Sequence, residues 1–335
     1  MILHFSSWFH DAMRFTKRLK PKRALNLFLI KAGVLFSKIS GSVIVLGRPF
    51  AVSTEVSAAC NLRCPECIVG IGKTLRQEKR MPEPVFKAIL DRHKTHSFYL
   101  NLYFQGEPFL NKNLEGFIKL ASSLDYYTCV STNGHFLDEA RCKSIVQSGL
   151  DRLIVSLDGL DQDTYAFYRI GGSWQKVVAG IETIARVRKA EKRTNPLIVV
   201  QFLVNKRNEG QVADLKRFSR KLGVDVLELK SMQVYNEQGA ETFLPENIRF
   251  NRYKKWFGKK AFAWRRRKGP CQRLWSTVVY TSDGLQVACC YDKVPEHTIG
   301  SISGEDPWVS PDTNAFRKKV MKRREDIAIC CNCAE

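Results

Sequence analysis

The sequence of 335 residues has no uninterrupted apolar run of the roughly 18 residues that a membrane-spanning helix needs. The nearest candidate, residues 24–46, is interrupted by Lys31 and Lys38. The opening segment also lacks the long apolar run and small-residue cleavage site of a secretory signal. We therefore expect a cytoplasmic protein, with a peripheral position at the inner face of the membrane as the alternative.

Acidic residues are scarce, since 33 Asp and Glu stand against 54 Lys and Arg, which gives a formal net charge of +21. No internal repeat or low-complexity tract is present. A hydrophobic content of 44% excludes a wholly disordered chain. The length suggests about two domains, or one large α/β domain with an appendage.

The 11 cysteines are grouped along the chain. Three lie at Cys60, Cys64 and Cys67, two are isolated at Cys129 and Cys142, and six fall within residues 271–333. In a reducing compartment, clustered cysteines favour metal binding or redox chemistry over disulfides. The grouping predicts two metal sites in two parts of the chain, with the isolated pair as buried thiols.

Residues 1–50 form a basic leader that contains nine Lys or Arg and one acidic residue. A mostly apolar stretch from Leu25 to Phe36 has cations before and within it. This amphipathic pattern predicts a helix that packs on the body of the protein. A helix that lies on an anionic membrane surface is the alternative.

From residue 51, strand-like and helix-like segments alternate six times up to residue 231. Runs of Val, Ile, Leu and aromatic residues, each followed by a helical pattern, predict parallel strands covered by helices. Six units are too few to close an eight-stranded barrel, so we predict an α/β fold with a partial, open (βα)6 TIM-type barrel. In such folds chemistry gathers at the carboxyl ends of the strands.

Two further segments follow the predicted barrel. Residues 232–270 form a linker in which cations alternate with aromatic residues, and residues 271–335 form a small C-terminal domain. In that domain, two apolar runs at 277–280 and 285–288 flank the turn sequence Ser282-Asp283-Gly284, which predicts a β-hairpin.

The segment CNLRCPEC directly follows the first predicted strand and contains Cys60, Cys64 and Cys67. This spacing allows three thiolates to surround one metal centre. Structural zinc sites and iron–sulfur clusters normally have four protein ligands. Three cysteines therefore predict a cluster with an open position for a small molecule, and a closed zinc site is the alternative.

The chain resembles the radical S-adenosylmethionine (radical SAM) superfamily, because CNLRCPEC matches its CxxxCxxC signature at the expected place after strand one. Further landmarks of that superfamily follow in order from residue 51 to about 230. They are Gly106-Glu107-Pro108, Ser131-Thr132-Asn133-Gly134, Ser156-Leu157-Asp158-Gly159, Tyr168-Arg169-Ile170-Gly171-Gly172 and Asn205.

The resemblance implies that a 4Fe–4S cluster on Cys60, Cys64 and Cys67 binds SAM. An electron would cleave SAM to methionine and a 5′-deoxyadenosyl radical, which abstracts hydrogen from a substrate. Local capping or turn formation is the alternative role for each polar residue. Glu66 stands where the superfamily usually has an aromatic residue against the adenine. The implied SAM contacts are Gly106, Glu107, Pro108, Ser131, Asn133, Ser156, Arg169 and Asn205.

The C-terminal cysteines resemble the SPASM/twitch extension of radical SAM enzymes, which carries auxiliary 4Fe–4S clusters. Cys271, Gly284 and Cys289 match its opening pattern, and Cys330 and Cys333 complete four thiolates. Four protein ligands close a cluster, so the resemblance implies a single auxiliary cluster suited to electron relay. A zinc ribbon is the alternative. Cys290 and Cys331 each follow a predicted ligand directly in the sequence, and they are either spare or compete with that neighbour as ligands.

We therefore predict a radical SAM enzyme of oxidoreductase type, whose unknown substrate is a peptide, a protein or a small molecule. A non-catalytic iron–sulfur or zinc protein with a redox or binding role is the alternative. The positive charge predicts an acidic partner, such as a flavodoxin or ferredoxin donor, a phosphate-bearing substrate or a membrane surface. Nucleic acid is disfavoured because no recognisable RNA-binding module is present, and a solvated basic face is the alternative.

Overall fold

The computed structural model describes residues 1–253, 269–331 and 333. The predicted linker at 232–270 is therefore described only in part, and its most basic portion, 254–268, lies outside the described residues.

The described residues form a nine-stranded sheet in the order β6-β5-β4-β3-β2-β1-β7-β8-β9. All neighbouring pairs from β6 across to β7 are parallel, and the last two pairs are antiparallel. The strands are β1 (Ala51–Thr54), β2 (Tyr99–Asn101), β3 (Tyr127–Thr132), β4 (Arg152–Ser156), β5 (Leu197–Val204), β6 (Val226–Ser231), β7 (Thr277–Tyr280), β8 (Leu285–Val287) and β9 (Thr298–Ser301).

Helices connect the parallel strands and cover one side of the sheet, as the alternation predicts. Their inward residues pack on the strands in one hydrophobic core, for example Ile181 and Ile184 with Leu153 and Val155. The helices are α1 (Phe5–Lys17), α2 (Pro21–Ser40), α3 (Glu83–His93), α4 (Leu114–Ser123), α5 (Glu139–Gln147), α6 (Gln162–Ala166), α7 (Trp174–Ala190), α8 (Val212–Lys221), α9 (Glu237–Phe243), α10 (Gln272–Ser276), α11 (Pro311–Lys322) and α12 (Ala328–Cys331).

Several helices begin at side chains that the sequence supplies as caps. The carboxylate of Asp138 accepts a hydrogen bond from the backbone amide of Arg141 at 2.8 Å, and Asp161 caps α6 in the same way. Such caps satisfy amide groups that have no partner within the helix. The loops before α5 and α6 therefore end at defined residues.

The C-terminal region continues the sheet of the barrel. The predicted hairpin is present as β7 and β8, with Val279 opposite Val287. The first of these strands also pairs in parallel with β1, with Val52 beside Val278. The predicted domain boundary at residue 270 thus falls between strands of a single sheet.

The leader contains two helices rather than the single helix that its pattern predicts. The second, α2, covers the predicted apolar stretch and packs by Ile30 against Leu274, Trp275 and Val320 of the C-terminal region. The first, α1, lies against the residues where β3 and β4 begin. None of the helices in the described ranges is long and apolar enough to cross a membrane.

Candidate active site and the two cysteine clusters

The first three cysteines border a cavity of about 330 Å³ at the carboxyl ends of the parallel strands. Their loop leaves β1 and turns back on itself, with the amide of Cys67 donating to the carbonyl of Cys64 at 3.1 Å. The amide of Leu62 points to the Cys60 sulfur at 3.4 Å. Gly70 packs so closely that a Cβ there would lie 2.4 Å from the Cys64 carbonyl oxygen. The loop therefore wraps tightly around the cavity.

The segment after β2 is tied to the entrance of this loop. Gly106 has a φ of +69°, and a Cβ at this position would lie 2.2 Å from the carbonyl oxygen of Ser57. The next amide, that of Glu107, donates to the carbonyl of Ala59 at 2.7 Å. Only glycine fits both the conformation and the close approach. This contact brings the Gly106-Glu107 backbone to the wall of the cavity.

The carboxylate of Glu107 organises the carboxyl end of β3. It is almost fully buried and accepts hydrogen bonds from Thr132 Oγ1 at 2.7 Å and from the Asn133 amide at 2.8 Å. Burial outweighs these bonds and raises the pKa of Glu107 to about 7. The Asn133 side chain in turn donates to Asn61 at 2.7 Å and lies 3.8 Å from the Cys60 sulfur. Glu107 thus positions a polar residue beside the cysteine loop.

Arg169 reaches the cavity from the loop after α6 and forms an ion pair with Asp158. Its Nε donates to the Asp158 carboxylate at 2.5 Å, and the other oxygen of Asp158 accepts from the Leu203 amide at 2.7 Å. Burial works against the Arg169 charge, but the attraction of Asp158 and Cys64 prevails and raises its pKa. The ion pair uses Nε, so the terminal amino groups remain available for a carboxylate in the cavity.

Most of the predicted SAM contacts come together at this cavity. The lining includes Cys60, Cys64, Cys67, Gly106, Glu107, Ser131, Asn133, Ser156 and Arg169.

Two predicted contacts do not line the cavity. Pro108 begins a short turn that Glu107 caps. Asn205 is fully buried, and its side-chain oxygen accepts hydrogen bonds from the amides of Arg207 and Asn208. Both residues therefore have the local roles that Asn and turn residues often have, and their contact with SAM stays a prediction.

The cavity is also lined by residues that were not among the predicted SAM contacts. Asp158 was part of a recognised landmark, but its role in holding Arg169 depends on a contact across 11 residues that no local pattern shows. Other lining residues come from the cysteine loop, the segment after β2, the loop after α6, β5 and the C-terminal region. They are Leu62, Glu66, Tyr103, Phe104, Tyr168, Gln201, Leu203 and Lys293.

Glu66 lines the cavity and also contacts residues outside the cysteine loop. Its carboxylate accepts from the Tyr235 amide at 3.2 Å and packs against Gly239. Lys293 contacts the Tyr235 hydroxyl and places its ammonium 5.0 Å from the ring centroid. Glu66, Tyr235 and Lys293 therefore connect the cysteine loop to the C-terminal region at the edge of the cavity.

The chemistry of the three thiols fits a cationic cluster. Burial raises the pKa of Cys60, and it raises that of Cys64 to about 11. Both thiols would therefore keep their protons until a metal centre compensates the charge of the thiolates. Among the described residues, no three His, Cys, Asp or Glu side chains converge on a single-ion site. Thiols spread around a cavity suit a polynuclear cluster.

The C-terminal cysteines line a second cavity, of about 20 Å³. All four predicted ligands are present, and the remaining walls are mostly apolar. Burial raises the pKa of Cys289 well above its usual value, and the Tyr291 amide points to its sulfur at 3.3 Å. The lining residues include Cys271, Cys289, Cys330, Cys333, Leu274, Phe316, Val320 and Ile329. This donor set fits a closed four-thiolate centre.

The remaining cysteines are not among the predicted ligands. Cys290 does not line the second cavity, and its sulfur accepts a hydrogen bond from Arg273 at 3.3 Å. Cys129 and Cys142 are fully buried, as predicted. Cys331 is not among the residues whose side chains are described.

Comparison with known proteins agrees with this geometry. Residues 54–217 match the model of the radical SAM superfamily. The chain carries a radical SAM domain. Over 205 residues, or 59% of this chain, the sequence is 27% identical to the PqqA peptide cyclase of Rhizobium meliloti (strain 1021). The chain spans about half of that relative, since the match covers 51% of it.

Several solved structures share the fold of this chain. SuiB of Streptococcus suis, bound to its precursor peptide SuiA, matches with a TM-score of 0.61 at 13% identity, over 91% of this chain and 73% of SuiB. The anSMEcpe structure with bound AdoMet and Cp18Cys peptide matches with a TM-score of 0.59 at 17% identity, over 84% of this chain and 88% of anSMEcpe. BtrN in complex with AdoMet and 2-DOIA matches with a TM-score of 0.52 at 19% identity, over 86% of this chain and 94% of BtrN.

The predicted α/β fold and the resemblance to radical SAM proteins are thus confirmed. At these identities the solved structures establish the fold alone.

Proposed function

We propose that this chain is a radical SAM enzyme whose SAM-binding 4Fe–4S cluster is held by Cys60, Cys64 and Cys67. One observation carries the proposal: the three thiols and the paired Arg169 line the same cavity at the carboxyl ends of the strands. When bound, the cluster and SAM supply a one-electron cleavage that generates a 5′-deoxyadenosyl radical for hydrogen abstraction.

The residues of the cavity bind and orient SAM. Arg169 offers a planar fork of donors to the SAM carboxylate, and Asp158 fixes the direction of that fork. The backbone at Gly106 and Glu107 lies at the cavity wall and meets the methionyl ammonium. Hydroxyl and amide groups of Ser131, Asn133 and Ser156 bind the ribose or the carboxylate.

The second cavity holds an auxiliary 4Fe–4S cluster on Cys271, Cys289, Cys330 and Cys333. The proposal rests on four thiols lining one small cavity with mostly apolar walls. Four protein ligands leave no position for a substrate, so this cluster relays electrons. An acidic flavodoxin or ferredoxin is the proposed donor, because the net charge of +21 attracts it.

A peptide or protein is the proposed substrate. The relative at 27% identity is named for a peptide that it cyclises, and two similar folds were solved with peptides bound. A small molecule is the second candidate, since the chain covers 94% of BtrN, which was solved with 2-DOIA.

The cleavage of SAM tests the enzymatic proposal. Anaerobically reconstituted protein, reduced with dithionite and given SAM, should release 5′-deoxyadenosine, and Cys64→Ala should release none. Cys142→Ala is the matched control, because this buried thiol lies outside both cavities. Equal amounts from wild type and Cys64→Ala, or none from either, would contradict the proposal.

The substrate class is tested by transfer of deuterium. Extracts from deuterium-grown cells of the source are divided into fractions above and below about 1 kDa, and each is added to the reaction. A peptide or protein substrate should place deuterium in 5′-deoxyadenosine only with the larger fraction. Labelling by the smaller fraction alone would favour the small molecule.

A further inference from the structure

The first leader helix presents most of its large apolar residues to solvent, whereas Phe15 packs inward on Phe98 and Tyr127. Phe5 is 68% exposed and Phe9 49%, and Trp8 and Met13 lie on the same side of α1. A surface helix normally turns this side towards the core. The orientation of α1 is therefore the reverse of that in an ordinary amphipathic helix.

Ion pairs hold α1 in this orientation. Asp11, on the opposite side, is only 3% exposed and accepts hydrogen bonds from Tyr127 Oη at 2.5 Å and from Arg152 at 2.7 Å. Arg14 lies 3.4 Å from the buried carboxylate of Asp151. Rotation of the helix would break these buried contacts, each of which is costly to leave unpaired. The outward position of the phenylalanines is thus built into the fold.

The second leader helix packs by Ile30 on the C-terminal region and also has an exposed apolar side. Its inner side includes the polar residues Arg23, Asn26 and Ser37, all buried. Its outer side carries large apolar residues at helical spacing, of which Ile39 is 73% exposed and Phe28 67%. We call the outward apolar residues of both helices the leader face. They are Phe5, Trp8, Phe9, Met13, Leu25, Phe28, Leu35, Phe36 and Ile39.

Exposed apolar residues are concentrated in the leader. Of the 19 large hydrophobic residues that are exposed in the described part of the chain, 11 lie within residues 1–39. Single exposed apolar residues are common on protein surfaces, but a concentration of this kind indicates an interaction site.

The charges around the leader face identify what covers it. The single acidic residue of the leader, Asp11, is buried, whereas Lys17, Lys22, Lys31 and Lys38 are exposed. A groove of about 720 Å³ also borders the polar side of α1, and its walls include Lys189, Arg193 and Lys221. Lysine is depleted at protein–protein interfaces. Apolar residues flanked by cations are typical of helices that lie on anionic lipid.

We propose that the leader face binds the surface of an anionic phospholipid bilayer. The aromatic and aliphatic side chains of α1 and α2 enter the boundary between headgroups and acyl chains. The flanking lysines and the basic groove contact the lipid phosphates. This proposal does not depend on the function of the cysteine clusters.

Vesicle flotation of the full chain tests the proposal. Vesicles of 60% phosphatidylcholine and 40% phosphatidylglycerol should carry the protein, and pure phosphatidylcholine should bind it at least about tenfold more weakly, because each cation near an anionic surface is worth roughly fivefold. Phe9→Glu and Phe28→Glu, one in each helix, should each reduce binding by about tenfold or more. Ile248→Glu is the matched control, since Ile248 is 57% exposed outside the leader and should bind like wild type.

A second set of variants separates charge from folding. Lys22→Glu, Lys31→Glu and Lys38→Glu together should reduce the preference for phosphatidylglycerol by at least about tenfold, while circular dichroism and 5′-deoxyadenosine formation stay unchanged. Equal binding of wild type to both kinds of vesicle, or unchanged binding of all leader variants, would overturn the proposal. It would also be overturned if wild type formed a dimer that did not float and Phe28→Glu made it monomeric, because the leader face would then bind a second copy.

Discussion

The two cysteine sites use the same ligand atoms but differ in number and surroundings. Three thiols border a cavity of about 330 Å³ whose walls include Ser131, Ser156 and Arg169. Four thiols line a cavity of about 20 Å³ among mostly apolar side chains. The two cavities thus differ in the number of thiols, in volume and in the polarity of their walls, and a larger polar cavity has the room and the donors for a small molecule.

Buried polar contacts connect the loop of the first three cysteines to the C-terminal region. The buried carboxylate of Glu55, directly after β1, pairs with Arg76 of the cysteine loop at 2.5 Å. Ser282 of the C-terminal region donates its amide to the same carboxylate, and Arg76 also donates to the Lys293 carbonyl at 3.2 Å. These bonds fix the cysteine loop relative to the C-terminal region.

Removing one ligand from each site gives the largest expected contrast. We expect Cys64→Ala and Cys271→Ala each to lower the iron content from about eight to about four atoms per chain, since each 4Fe–4S cluster needs its cysteines. Only Cys64→Ala should lose reductive cleavage of SAM. Iron analysis and chromatography of 5′-deoxyadenosine measure both. Loss of cleavage in Cys271→Ala with retention in Cys64→Ala would reverse the two roles.

Breaking the contact between the cysteine loop and the C-terminal region should destabilise the fold. Arg76→Ala leaves the Glu55 carboxylate buried without its cation, which costs about 3–5 kcal/mol of unfolding free energy. Urea denaturation of the apoprotein measures this loss. Arg217→Ala, which removes an exposed pair with Asp214, is the control and should change stability by less than about 1 kcal/mol. Similar effects of the two variants would show that Glu55 is not held as described.

A contact between α3 and β7 of the C-terminal region predicts that the stability of the fold depends on pH. His93 of α3 is buried against the Tyr280 hydroxyl of β7 at 2.9 Å, and burial lowers its pKa to about 4. Because the unfolded chain takes up this proton near pH 6.5, stability should fall by about 3 kcal/mol as the pH drops from 6.5 to 4.

The measurement is a series of urea midpoints across that pH range. His93→Gln should have a smaller slope, whereas replacement of the exposed His10 should leave the slope of wild type. An unchanged slope in His93→Gln would assign the pH dependence to other groups.

The smallest expected effect is a change in the affinity for SAM at the three-thiol site. Arg169→Lys keeps the charge but loses the planar fork, so the dissociation constant of SAM should rise about 10- to 100-fold. Asp158→Asn, which weakens the positioning of Arg169, should have an intermediate effect. Equilibrium binding of SAM to the reconstituted protein measures both. Neither variant should change the auxiliary cluster, and a change in its spectrum would contradict the separation of the two sites.

Local patterns predicted much of the fold and of the candidate site. Continuous apolar runs such as Leu197–Val204 identified the parallel strands, and the spacing of Cys60, Cys64 and Cys67 predicted three thiols that the structure brings to one cavity. The four cysteines of the second cavity followed from the resemblance to the SPASM/twitch pattern, and their role as ligands stays a prediction. These features depend on residues close together in sequence or on recognised motifs.

Other features depend on contacts between distant residues, which a single sequence does not show. The pairing of β7 with β1 joins strands more than 200 residues apart. The reversed orientation of α1 depends on Asp11 meeting Arg152, and the amphipathic pattern alone suggests the opposite orientation. Asn205 matched a landmark, but its turn uses the side chain locally.

The central claim, that SAM binds at the three-thiol site and not at the four-thiol site, is tested most directly by electron–nuclear double resonance on the reduced protein. The probe is SAM labelled with ¹⁵N at its amino group. The account predicts a ¹⁵N coupling in wild type and in Cys271→Ala, and none in Cys64→Ala. Absence of the coupling from wild type, or its persistence in Cys64→Ala, would contradict the account.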